Sequence, residues 1–304
     1  MADRKMLTAH VLALMCMIVW GTTFVVSKDL MHFLTPIQLV CIRLFIAYLV
    51  LWLIHPKWFF DRHYEWILLI AGFLSNTVYF IAENTALTLT YASNVSILTS
   101  TTSMMSLALM WITKKENVNR KQVYGLIAAF IGAVLVVLNG SVILGLNPAG
   151  DVLALTAALS WALYGLFLLK IVGKVDDFVL TRKLMFYGLI TTLPLALAEG
   201  RPIDIDSLLS VKSILEVAFL AVLGSCACFV IWNHSIKTLG VVNSNAYLYI
   251  MPVITMIAGA IAFDENITLM AIIGTILIIG GLMINNFSRT KNKKDDELDE
   301  SHQS

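Results

Sequence analysis

Residues 116–132 read ENVNRKQVYGLIAAFIG and residues 265–281 read ENITLMAIIGTILIIGG. At an offset of 149 they pair Glu116 with Glu265, Asn117 with Asn266, Gly125 with Gly274 and Gly132 with Gly281. The same offset pairs Asn84 with Asn233, and Trp20 in MIVWGTTF matches Trp161 of ALSWALYG at 141, the shift being drift in loop length. These matches point to a duplicated unit. The copies differ in charge. The first Glu-Asn turn is flanked by Lys114, Lys115, Arg120 and Lys121, whereas the second follows Asp264 and has no base between Lys237 and Arg289. Basic residues in short loops are retained on the cytoplasmic side of a membrane, so the pattern reads as one motif placed on two sides of a bilayer.

The composition says the same. Of 304 residues 59% are hydrophobic and only 13% charged, with a mean hydropathy of +0.82, against roughly half and a quarter in a soluble globule. A spanning helix takes roughly 20 residues. Helices are expected near 7–27, 34–54, 65–87, 91–112, 121–139, 150–170, 178–198, 214–236, 241–262 and 267–287. The stretches 84–113, 122–150, 238–263 and 266–288 carry no charge at all. The fold class is therefore an all-α integral membrane protein with ten transmembrane helices in two five-helix repeats, and because five is odd the repeats are inverted relative to each other. Arg4 and Lys5 before the run Met6–Ser27 imitate a signal peptide, but the run is 22 residues long and nine more apolar segments follow, so it is read as the first span.

Charge also sets the orientation. With the N-terminus inside, seventeen Lys and Arg fall on inner segments, three (Lys28, Arg201, Lys212) on outer loops, and Arg43 within a helix. Both termini are then cytoplasmic and the chain is expected in the plasma membrane, the inner membrane if the source is bacterial. A net charge of +1 gives no basic field for nucleic acid. Cys16, Cys41, Cys226 and Cys228 all lie in apolar stretches and read as small hydrophobes; Cys226 and Cys228, two apart on a helix, make a poor metal pair. No metal or other cofactor is expected.

In this order of features the chain resembles a ten-helix member of the EamA family of the drug/metabolite transporter superfamily. The resemblance rests on WGTTFVVSK in the first helix, Arg43 in LVCIRLFIAYL, YASNVSILTSTTS opening the fourth helix, its counterpart NSNAYLYIMPV, and the acidic turn leading to glycine near the end of each repeat. It covers nearly the whole chain. It implies repeats near 9–139 and 150–286 joined by an outer linker at 140–149, a short cytoplasmic N-terminus at 1–8 and a charged tail at 287–304, expected to be disordered. It also implies secondary transport of small metabolites, often amino acids or related compounds and often outward, through a central cavity between the repeats.

Charged side chains in hydrocarbon are costly and mark function by default. Arg43 lies roughly 13 Å below the outer end of its helix and Glu83 roughly 7 Å below that of the next. One reading has Arg43 bind a substrate carboxylate or phosphate while Glu83 exchanges a proton or pairs with a substrate amine. The other is a fixed Arg43–Glu83 salt bridge between two helices. Asn84 is read toward the cavity and Asn233 toward helix packing. Trp20, Tyr79, Trp161 and Tyr164 offer aromatic walls, with ordinary packing as the alternative. Asn245 and Tyr247 sit on the ninth helix, the repeat partner of the hydroxyl-rich fourth, whose Ser and Thr side chains either line a wet cavity or bond back to their own carbonyls. Pro252 is a hinge candidate. His234, near the inner end of the eighth helix, suits proton handling, although so near the interface it reads better as solvated. Gly125, Ala129, Ala133, Gly274 and Gly281 suit close helix packing.

The leading function is an alternating-access secondary transporter. No GxxxxGK[ST] loop, HExxH or GxSxG stands in the sequence, which leaves an ion gradient, exchange or the substrate's own gradient as the driving force and disfavours an intramembrane enzyme. A channel is the remaining rival. The expected partners are a small-molecule substrate and the lipid bilayer, with the proton one candidate for coupling; the sequence does not choose the coupling ion, nor between monomer and homodimer.

Overall fold

The computed structural model describes residues 2–90, 92–115, 119–138, 147–254, 256–257 and 268–284, with the side chains of 2–4 and 92–94 left aside. The expected outer linker at 140–149 falls almost wholly outside these residues, as do the charged tail and the two Glu-Asn turns. Ten helices account for nearly all of the described chain. They are α1 (Ala2–Leu30), α2 (Pro36–Ile54), α3 (Arg62–Leu89), α4 (Ala92–Ser100 and Thr102–Ile112), α5 (Arg120–Leu138), α6 (Pro148–Leu168), α7 (Asp177–Glu199), α8 (Val211–Leu239), α9 (Val241–Ile254) and α10 (Leu269–Ile284). Seven are long and apolar enough to cross a membrane, and α9 and α10 are shorter apolar helices. The 23 residues of α7 keep their charges, Asp177, Arg182, Lys183 and Glu199, toward the two ends.

Local chemistry sets the starts. Thr35 accepts from the Gln38 backbone while Gln38 accepts from Thr35, a reciprocal cap that precedes Pro36. Asn147 before Pro148, Asp176 before α7 and Ser210 before α8 each satisfy backbone N–H groups in the same manner. Such caps matter where lipid offers no partner. Large apolar side chains such as Phe45, Leu53, Trp111 and Ile276 point outward, as lipid-facing surfaces require.

Polar contacts fix which helix ends share a side. At one end Lys212 pairs with Asp29 at 2.6 Å, Thr35 donates to Glu199 at 2.7 Å and Asn147 donates to the Leu89 carbonyl. We call this the Leu89 end. At the other, the Lys170 end, Lys183 pairs with Glu65, His234 with Asp177 and His55 with Asp176, while Arg182 donates to the carbonyls of His55 and Lys57.

The duplication is visible in the packing. A Cβ placed on Gly132 would fall 2.5 Å from the Gly274 carbonyl, and one on Gly281 would fall 2.4 Å from that of Gly125. The repeat relation carries Gly125 to Gly274 and Gly132 to Gly281, so each contact is the image of the other. An exchange of that kind requires a two-fold axis between α5 and α10. The glycines are the packing residues expected. Elsewhere α1 lies on α8 as α6 lies on α3, and α2 on the middle of α8 as α7 lies on the middle of α3.

Four helices are irregular, and they too come in repeat-related pairs. Phe73–Val78 of α3 and Phe219–Ala227 of α8 are π-helical, a wide turn that recurs at functional sites. The Trp20 indole donates to the Gly224 carbonyl in one, and Ser160 to the Leu74 carbonyl in the other. In α9 a 3-10 turn, Tyr247–Ile250, precedes Pro252. Proline offers no N–H to the Leu248 carbonyl, and the Met251 N–H bonds that oxygen instead. The matching break in α4 falls at Thr101 without a proline. There Thr99, Ser100 and Thr101 turn their hydroxyls back onto the carbonyls of Val95, Ile97 and Leu98, a competition that bends helices.

Candidate functional site

The four irregular helices, with α1 and α6, enclose a tight central chamber with about 20 Å³ of accessible cavity. Its walls are Trp20, Thr23 and Phe24 of α1, Tyr79, Phe80 and Glu83 of α3, Thr99 and Thr102 of α4, Trp161 of α6, Phe229 of α8, and Leu248 and Met251 of α9. The repeat offsets sort these residues. Trp20 and Trp161, Phe80 and Phe229, Thr99 and Leu248, and Thr102 and Met251 are four related pairs, so the chamber is centred on the pseudo-two-fold axis. The other four, Thr23, Phe24, Tyr79 and Glu83, have as counterparts Tyr164, Gly165, Cys228 and Trp232, none of which lines it. Thr23, Phe24 and Glu83 lie on the Leu89 side of the belt, so the chamber extends toward that end.

The absent counterparts are occupied in closing the other end. The Tyr164 hydroxyl donates to Asn233 at 2.7 Å, and the Asn233 amide donates to Thr181 at 3.0 Å, joining α6, α8 and α7 in one buried layer. Trp232 packs against Trp20 with ring centroids 5.0 Å apart. On the opposite side Asn84, the image of Asn233, is fully buried and neither atom of its amide has a partner among the described residues.

Arg43 and Glu83 do not form the salt bridge that one of the two readings calls for. The Arg43 side chain is buried, donates from Nε to Ser225 Oγ at 3.0 Å within the wide turn of α8, and lies over the Phe80 ring at 4.0 Å. Phe80 thus stands between the guanidinium and the chamber. Glu83 accepts from the Tyr79 hydroxyl at 2.7 Å, one helical turn away, and faces the open space. The cation–π contact offsets part of the cost of burying the guanidinium.

Of the residues expected at the site, Trp20, Tyr79, Glu83 and Trp161 line the chamber, and Arg43 backs it. Tyr164 stacks edge-on against Trp161, with its hydroxyl committed to Asn233. Asn245 donates to Ser106 at 2.7 Å, and Tyr247 shares a 2.6 Å hydrogen bond with His10 of α1; both tie α9 to neighbours. His234 sits beside Asp177 at the Lys170 end, 3.2 Å away and away from the chamber. Pro252 lies next to the wall residue Met251. Phe80 and Phe229 went unrecognised, although the offset that pairs Asn84 with Asn233 pairs them as well. Of the α4 hydroxyls, those of Thr99, Ser100 and Thr101 bond back to their own helix, and Thr99 is also a wall residue of the chamber.

Comparison with known proteins extends this picture. A crystal structure superposes with a TM-score of 0.73 over 93% of this chain and 98% of its own, at 17% identity, which shows a shared fold. A transporter of Archaeoglobus fulgidus, itself uncharacterized, is 26% identical over 90% of this chain and 96% of its own length. A probable amino-acid metabolite efflux pump of Escherichia coli strain K12 is 27% identical over 91% and 94%. Residues 7–138 and 148–287 each match the EamA-like transporter family. With two such units laid head to tail around one central chamber, the chain belongs to the EamA-like transporter family.

Proposed function

We propose that the protein is a secondary-active, alternating-access carrier that exports a small metabolite, an amino acid or a related compound. The observation that carries this is the make-up of the chamber, four repeat-related pairs around the axis and a one-sided extension toward the Leu89 end. A site on a two-fold axis with one end shut has a mirror state with the other end shut. In that state Tyr164, Cys228 and Trp232 would line the chamber while Thr23, Tyr79 and Glu83 pack away. The distribution of Lys and Arg supports a cytoplasmic Lys170 end and cytoplasmic termini.

The chemistry of the walls fits an amino acid. Trp20, Trp161, Phe80 and Phe229 give apolar faces for a side chain, and Glu83 with Tyr79 suits an amine. Rotation of Phe80 would bring Arg43 to a carboxylate. Glu83 also supplies a coupling step. To enter the buried place that Trp232 now mirrors, its charge must be neutralised by a proton or by the substrate's cation, because an isolated carboxylate is too costly there. A relative named as an amino-acid metabolite efflux pump supports both the substrate class and the direction. A channel would need a continuous pore, and the Tyr164–Asn233–Thr181 layer argues against one.

Purified protein in proteoliposomes tests the reading. Saturable counterflow of an amino acid, found by comparing metabolites in cells and medium with the protein present, absent or carrying Arg43→Ala, is expected. Flux that rises linearly with concentration and shows no counterflow would favour the channel. Thiol labelling should place cysteines at 116 and 265 on opposite sides of the membrane, and finding them on one side would overturn the inverted topology.

A further inference from the structure

A second recess lies far from the chamber, at the Lys170 end of the bundle. His63 and Ile67 of α3, Lys115 just past α4, Leu169 and Lys170 just past α6, and Lys174 before α7 line it. Three lysines line it and, among the described residues, no acid does. Among the described residues none of the three has an ion pair, in contrast to Lys183 and Lys212, which are both paired. Lys170 and Lys174 only lean on the faces of Phe167 and Tyr64, 5.1 and 5.8 Å from the ring centroids. Cations beside the C-terminal ends of α4 and α6 offset the partial negative charge of those ends. That explains why a lysine follows each helix, but not why three line one groove.

The surroundings identify what would neutralise them. Ile67 and Leu169 give the groove an apolar floor. Trp66, Trp111 and Ile112 stand on the same helix ends, each about two-thirds exposed, and exposed tryptophans of this kind mark the level of lipid headgroups. A phosphate held by the lysines would therefore have its apolar remainder at bilayer depth beside these side chains. A free anion makes no use of that floor. We propose that this groove is a binding site for the phosphate headgroup of an anionic phospholipid, placed between the ends of α3, α4 and α6. Basic pockets between helix ends serve this purpose in membrane proteins generally. The site is independent of the transport reading, since it uses no chamber residue.

The test measures lipid binding rather than transport. Full-length protein in phosphatidylcholine nanodiscs is titrated with phosphatidylglycerol, and bound lipid is counted by native mass spectrometry while thermal unfolding is followed in parallel. Retention of phosphatidylglycerol over phosphatidylcholine and a rise in Tm are expected. Each of Lys115→Gln, Lys170→Gln and Lys174→Gln should weaken retention about fivefold, and the triple variant should lose the Tm rise. The control variant Lys5→Gln/Lys57→Gln/Lys121→Gln removes equal charge elsewhere and should keep both effects. Equal loss in this control would reduce the site to general charge attraction and overturn the proposal. So would an unchanged triple variant, or an equal Tm rise with inorganic phosphate, which would make the ligand a soluble anion.

Discussion

Gly132 and Gly274 meet backbone to backbone. A methyl group on either would lie 2.5 to 2.6 Å from the other's carbonyl oxygen, and Gly281 with Gly125 repeats the contact on the far side of the axis. The two halves of the protein are held at that crossing by the absence of side chains.

Neighbouring glycines should then behave oppositely. Gly281→Ala pushes a methyl into α5 and is expected to destabilise by about 1–3 kcal/mol. Gly280→Ala meets nothing within 4 Å and should be neutral or stabilising by up to about 1 kcal/mol, from helix propensity. Thermal unfolding in detergent measures both, and equal shifts would refute the crossing.

Arg43 depends on its planar shape. It stacks on Phe80 and reaches Ser225 at once, which a lysine cannot do. Arg43→Lys should lower transport about tenfold or more although the charge is kept, whereas Ser225→Ala, losing one hydrogen bond of about 1–2 kcal/mol, should have a smaller effect. Wild-type activity in Arg43→Lys would show that charge alone suffices.

Glu83→Gln removes the ionisable group and keeps the shape and the acceptor for Tyr79. Exchange between substrate pools should persist while uphill transport driven by a pH gradient disappears. Gradient-driven accumulation at the wild-type rate would remove Glu83 from the coupling step.

The layer at the Lys170 end predicts a shift of population. Tyr164→Phe strips one hydrogen bond from it and Asn233→Ala strips both, each worth about 1 kcal/mol, which is roughly fivefold in an equilibrium. Cys228, the counterpart of Tyr79, reports the change in a background lacking Cys16, Cys41 and Cys226. Its labelling by an impermeant thiol reagent from the cytoplasmic side should rise about fivefold in Tyr164→Phe and further in Asn233→Ala, and no change would show that the layer does not hold the closed end.

The helices and the glycine pairing were legible because each has a residue signature, length and apolarity for one and small side chains at a constant offset for the other. The wide turns of α3 and α8 were not, since a π turn has no comparable composition. Pro252 announced the break in α9, while its image at Thr101 rests on back-bonding hydroxyls whose choice of partner is set by packing. The site was half legible for a related reason. Trp161 and Tyr164 are one turn apart on α6, and only contact with α8 decides that the indole faces the chamber and the phenol faces Asn233.

A helix with a π turn holds one residue more than its length requires. If that surplus passes one position along α3 or α8, the side chain it crosses swivels by about 100° as a wide-turn hydrogen bond is exchanged for an ordinary helical one. Such a helix has a built-in ratchet, and the wall of the chamber can be re-dealt without breaking a span in the middle of the bilayer.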